Sequence, residues 1–298
     1  MGLQLPNLRV FVPESWGEVG RFNNLYQATF DFTRLEQRFV GGVAAHFHKA
    51  VTLESLALKL KPNLEIDRRE LNERGYTPAL NSTEITAVVE AAMLELYAAA
   101  DCAAEVIYAI FRRKAVRGLK QSTRTLFAKF ERLPPPFPEE LKAALRGATW
   151  YPELRRIRDE LTHRQIGRCN LDEKSQTVTY MHPGMHSEDR ALIIEDIFKW
   201  LVTMRDAVNE FLGLSFRYLN SLLSATPVPV PCGLTQGRML MRMLNPAEPV
   251  ITFDSGICMS YQWFEPPTGP GCPFSGSCGA YKRTRPSPPP AAEPASPV

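Results

Sequence analysis

The segment Trp150-Tyr151-Pro152-Glu153-Leu154-Arg155-Arg156-Ile157-Arg158-Asp159-Glu160-Leu161-Thr162-His163-Arg164 carries the clearest helical pattern and the densest polar chemistry of the chain. Trp150, Leu154, Ile157 and Leu161 recur at 4-3-4 spacing, so at about 3.6 residues per turn they form one apolar stripe aimed at a core. Arg158, Asp159 and His163 fall off that stripe. Asp159 and His163 lie about 40° apart around the helix, which predicts a carboxylate–imidazole contact flanked by Arg158.

On the N-terminal side of this helix, a helical pattern runs from Glu84 to about Lys114, with Ser82 as its expected N-cap. Residues 118–132 read as a basic amphipathic helix. Pro134-Pro135-Pro136 and Pro138 then break the chain before a helix over Glu139–Arg146. On the C-terminal side, Gly167 is the natural stop, and Arg168–Leu171 and Gln176–Tyr180 read as a hairpin ended by Pro183-Gly184. His182 and His186 bracket that end as expected exposed loop residues. Ser187, Glu188, Asp189 and Arg190 then look like the opening of a second long helix reaching toward Leu223. Near the termini, Leu8–Val12, Pro249–Phe253 and Ile257–Phe264 read as short strands.

The expected fold is therefore mainly α, an up-and-down helical bundle with an inserted β-hairpin and short strands near both termini. Four segments are expected: an N-terminal helical or mixed extension (1–79), the bundle (80–225), a strand-containing, cysteine-bearing extension (226–285) and a disordered Pro-rich tail (286–298). A chain of 298 residues with 44% hydrophobic composition can bury a sizeable core. It has no apolar run long enough to span a membrane and opens without a signal-peptide pattern, so a cytoplasmic location is expected. The net charge of +3 conceals an asymmetry, because residues 112–168 hold 15 Lys or Arg against 6 Asp or Glu. Such a stretch suits a polyanionic partner, and equally a solvated basic face.

Four of the six cysteines, Cys232, Cys258, Cys272 and Cys278, fall in the last quarter of the chain. A metal knot is one reading of them and reduced, partly buried thiols the other; they include neither a Cys-x-x-Cys pair nor a neighbouring histidine, which weighs toward the thiols. His46 and His48, two positions apart, are likewise not read as metal ligands. No phosphate loop, nucleophile elbow or zinc-protease motif occurs.

The remaining chemistry lies in Arg158, Asp159 and His163. An imidazole exchanges protons near neutrality, and a guanidinium forks onto phosphate oxygens as charge gathers in a transition state. With RNA as substrate, the 2′-hydroxyl supplies the nucleophile, so no metal or cofactor is required. Arg158-Asp159-Glu160-Leu161-Thr162-His163 resembles the HEPN superfamily motif, in which an arginine and a polar residue precede a histidine. The resemblance covers about residues 80–225, with a long helix on either side of the motif. It implies a metal-independent endoribonuclease of a defence, toxin–antitoxin or RNA-processing system. It further implies a homodimer that brings two motifs face to face, with Arg158 and His163 catalytic, Asp159 supporting them, and an antitoxin or nucleotidyltransferase as possible partner. Arg155, Arg156 and Arg164 would bind the RNA backbone. Two other readings stand beside this one. A non-catalytic helical module could hold RNA, a nucleotide or a protein through the same face, or the charges could simply pair at i,i+4 as Arg155 with Asp159, Arg156 with Glu160 and Glu160 with Arg164.

Overall fold

A computed structural model describes residues 7–187, 190–264 and 271–284. The main elements in chain order are β1 (Leu8–Arg9), α1 (Gly17–Leu25), α2 (Arg34–Leu60), α3 (Leu64–Arg74), α4 (Leu80–Arg113), α5 (Thr123–Lys129), α6 (Glu139–Gly147) and α7 (Tyr151–His163). They continue with β2 (Arg168–Leu171), β3 (Val178–Ser187), β4 (Arg190–Ile194), α8 (Ile197–Ser221), β5 (Val228–Thr235), β6 (Arg238–Leu244), β7 (Ile257–Cys258), α9 (Tyr261–Phe264) and α10 (Gly279–Thr284). The protein is mainly α with two small antiparallel sheets, and no helix among the described residues is long and apolar enough to cross a membrane. The expected disorder of 286–298 lies outside the described residues.

The chain forms two compact units, Phe32–Leu219 and a second one assembled from Met1–Asp31 with Asn220–Val298. The first 79 residues are thus divided between the units instead of standing as one extension.

In the helical unit, α2 packs along α4, whose apolar residues Ile85, Val89, Met93, Ile107 and Phe111 are fully buried. A capping box starts α2: Glu36 N–H donates to Thr33 Oγ1 (3.3 Å), and Thr33 N–H donates to Glu36 Oε2 (2.7 Å). The same carboxylate accepts from Arg112 (2.8 Å) and Arg113 (2.8 Å), tying the start of α2 to the end of α4. Burial alone would raise the Glu36 pKa, but Arg113 and the Thr33 donors outweigh it and hold the carboxyl below its usual value.

Ser82 does not cap α4; it lies inside the helix. Asp67 of α3 supplies the cap instead, accepting from Ser82 N–H (2.7 Å), Asn81 N–H (3.3 Å) and the Asn81 amide (2.7 Å). Burial opposes ionisation of Asp67, yet these donors prevail and its pKa is lowered. Of the expected 118–132 helix, α5 forms, capped by Ser122 Oγ accepting from Thr125 N–H (3.2 Å), and a single 3-10 turn over Phe130–Arg132 follows it.

The hairpin is present, but it is part of a three-stranded sheet ordered β2-β3-β4. Pro183-Gly184 does not end β3, because an irregularity in register between His182 and His186 carries the strand past them. The stretch Arg190–Ile194 is strand β4 rather than the start of a helix, with Ile194 opposite Tyr180. Helix α8 starts later, where Asp196 Oδ1 accepts from Phe198 N–H (3.1 Å) and Lys199 N–H (3.1 Å). Glu188 and Asp189 lie outside the described residues.

In the second unit, only Leu8–Arg9 of the expected Leu8–Val12 strand forms, and it pairs with β5, Leu8 opposite Leu234. β5 and β6 make a hairpin around Gln236-Gly237, both at positive φ (47° and 74°), as a tight hairpin turn requires. Residues Pro249–Phe253 are not a strand; Phe253 packs on Phe11, and its N–H donates to Glu14 (3.0 Å). Only Ile257–Cys258 of the last expected strand pairs, against β6, and Tyr261–Phe264 is helical.

Candidate functional site on the outer face of α7

Helix α7 is oriented by the stripe read from its sequence. Leu154 and Ile157 are fully buried, Trp150 packs edge-on against Phe211 of α8 (6.0 Å), and Tyr151 stacks on Phe127 of α5 (3.8 Å). Leu161 is only half-buried, because Glu160 takes the inward position beside it. Trp200 of α8 donates to Glu153 (3.1 Å), fixing the first turn from outside the core.

The C-terminal end of α7 is held by groups that local pattern does not reveal. Glu90, buried in α4, accepts from Gly167 N–H (2.5 Å) and from the Tyr180 hydroxyl (2.8 Å), so one carboxylate anchors both the exit from α7 and β3. Burial, reinforced by Glu90, pushes the Tyr180 phenol up and keeps it a donor. Gly167 is required here: a Cβ at this position would meet the Tyr180 ring at 2.3 Å. His182 is fully buried, contrary to the expected exposed loop. Its Nδ1 accepts from Gly184 N–H (3.2 Å), so Nε2 carries the proton and donates to Gln165 O (2.9 Å), the neutral tautomer. His186 belongs to β3, with its side chain outside the described set.

This frame leaves Arg155, Arg156, Arg158, Asp159, His163 and Arg164 on the outer side of α7. The expected Asp159–His163 contact does not form. Asp159 is engaged by Arg158 Nη1 (3.0 Å) and Arg155 Nε (3.4 Å), two charge-assisted contacts that leave the imidazole without its carboxylate. Arg158 also lies over the Tyr97 ring (5.3 Å to its centroid), which restricts where its guanidinium can point. Arg164 pairs with Glu160 (3.2 Å). Two of the three expected i,i+4 pairs are thus present, and Arg156–Glu160 is not. Among the described residues, neither Arg156 nor His163 has a side-chain partner, and His163 is exposed in the last turn.

These side chains border an open groove of about 630 Å³ lined by Arg155, Arg156, Asp159, Glu160, His163 and Arg164. Arg158 stands outside that lining, on the Tyr97 side of Asp159. The arrangement presents three guanidiniums and one imidazole against two carboxylates, suited to the oxygens of an anion. No three His, Cys, Asp or Glu side chains among the described residues converge to hold a metal ion. His46 is instead paired with Glu95 (2.5 Å), which Lys49 also contacts (2.5 Å).

Comparison with known proteins returns no matching family model, no similar curated protein and no similar solved structure.

Proposed function

We propose that the α7 face binds the phosphate backbone of RNA, and that Arg158 and His163 cleave it there as a metal-independent endoribonuclease of the HEPN type. The observation carrying this reading is the groove itself, whose arginines and His163 all issue from one helix carrying the Arg-x4-His motif. In this reading Arg156, free of carboxylate partners among the described residues, and Arg155 and Arg164 hold phosphates. Arg158 stabilises charge on the reacting phosphorus, and His163 moves the proton of the 2′-hydroxyl or of the leaving oxygen. Asp159 acts on Arg158 by ion pairing rather than on His163. Since Arg158 and His163 do not meet within one chain, the complete site requires two copies with α7 facing α7.

One observation favours a second reading. With Asp159 committed to two arginines and His163 left unoriented, the same face serves as a binding module without cleavage. The readings separate in one experiment: incubate purified protein with a mixed RNA pool in EDTA and compare wild type with Arg158→Ala and His163→Ala. Cleavage lost in both variants, with RNA affinity retained by His163→Ala, supports the nuclease. RNA bound but intact under all three proteins supports the module.

A further inference from the structure

Cys232, Cys258, Cys272 and Cys278 come from three separate stretches of sequence, and the second unit brings all four to the lining of one small cavity of about 10 Å³, roughly the space of one water. β5 supplies Cys232, β7 supplies Cys258, and the segment entering α10 supplies Cys272 and Cys278. All four are free thiols. Their surroundings, Leu240, Phe264 and Tyr281 among them, are apolar.

Three features of this cavity are unexplained by simple burial of thiols. First, Arg242 is inserted beside the cysteines with only 2% of its surface exposed. Its partners are the carbonyls of Phe253 (2.6 Å) and Ser255 (2.9 Å), the Cys278 sulfur (3.4 Å) and the Phe11 ring (3.9 Å), while its Nε has no hydrogen-bond partner. An arginine cannot shed its proton, so a buried guanidinium with no carboxylate partner among the described residues calls for another source of negative charge. Second, backbone amides are directed at the sulfurs: Tyr281 N–H at Cys278 (3.4 Å), Ser260 N–H at Cys258 and Phe274 N–H at Cys272. Such N–H donors surround sulfur ligands in metal centres. Third, no three of these sulfurs approach closely enough to hold a single metal ion, although all four face one space. Zinc needs four donors around one point, whereas a cubane places a separate iron at each sulfur and spaces the sulfurs apart.

We propose that Cys232, Cys258, Cys272 and Cys278 bind a four-iron, four-sulfide cluster, with Arg242 as its buried counter-charge. Assembly joins two ferrous ions, two ferric ions, four sulfides and the four thiols, releases the four thiol protons and forms one iron bond to each cysteine sulfur, leaving a cluster of net charge −2. Thiolate–metal bonds, at about 2.3 Å, are shorter than van der Waals contacts, so the irons sit closer to the sulfurs than a water does. The cluster anion then answers the guanidinium charge, and the amides keep their sulfur acceptors.

The test uses the full chain, purified without oxygen from iron-supplemented cells or reconstituted with equal ferrous and ferric iron and sulfide. The expected result is a brown protein with about four iron and four acid-labile sulfide per chain and, after dithionite reduction, the electron paramagnetic resonance of a reduced cubane. Cys232→Ser and Cys278→Ser should each lower bound iron at least fivefold, while Cys102→Ser and Cys169→Ser, outside the cavity, should retain it. The wild-type iron and sulfide content decides the matter even if a cavity variant fails to fold. One zinc per chain without sulfide, intact disulfides among the four cysteines by mass, or four titratable thiols and no metal after reconstitution would each overturn the proposal.

Discussion

Replacing Asp159 by asparagine nearly preserves side-chain shape while removing the anion that Arg155 and Arg158 both contact. Two guanidiniums are released toward a groove already bordered by Arg156, His163 and Arg164. A unit charge about 6 Å from a phosphate is worth about 0.7 kcal/mol in water-like surroundings and about 3 kcal/mol at the effective permittivity of a protein surface. Asp159→Asn should therefore tighten single-stranded RNA by about threefold or more at low salt. Each released cation that reaches a phosphate should also steepen the dependence of log affinity on log salt by about 0.7. The assay is fluorescence anisotropy with a 2′-O-methyl oligonucleotide, which binds without being cut, titrated at several salt concentrations. Weaker or unchanged binding with an unchanged salt slope would refute the assignment of this groove to phosphate.

Arg156→Ala removes the groove cation that has no carboxylate partner among the described residues, and should flatten the same salt slope by about 0.7. Glu36→Ala removes the capping box and two guanidinium contacts of a buried carboxylate, and should cost about 2–4 kcal/mol in urea unfolding. Because the Asp67 pKa is lowered in the folded protein, its contribution is present above the unfolded value of about 4 and fades as pH falls through the folded value. The stability gap between wild type and Asp67→Ala, about 1–2 kcal/mol at neutral pH for a lost cap, should accordingly shrink in acid. Gly167→Ala drives a Cβ into the buried Tyr180 ring and should destabilise the helical unit by about 2–3 kcal/mol, read by thermal melting.

The parts of the fold legible in sequence are those written in local periodicity. Leu154 and Ile157 announce the buried side of α7 because 3.6-residue spacing is a property of adjacent turns, and Arg168–Leu171 pairs with β3 because the turn between them is short. β5 was hidden by Pro229 and Pro231, which forbid ladder donation, yet both occupy exposed positions where β1 does not pair. β4 was hidden because Ser187 to Arg190 resembles a helix opening, whereas Ala191–Ile194 gains more by pairing with β3. At the site, the positions on α7 were legible and their partners were not: several guanidiniums and one imidazole compete for Asp159 within one turn, and spacing alone does not decide among them. Glu90, Arg242 and the meeting of four cysteines depend on contacts between distant segments. For Glu90 and Arg242 the trace in sequence was charge within otherwise apolar helix and strand patterns, and for the cysteines it was their gathering in the last quarter of the chain.

The account turns most directly on the end groups of RNA exposed to the purified protein in EDTA. It predicts fragments ending in 2′,3′-cyclic phosphate and 5′-hydroxyl, formed by wild type and lost in both Arg158→Ala and His163→Ala. Intact RNA, or cleavage that survives removal of His163, would contradict it.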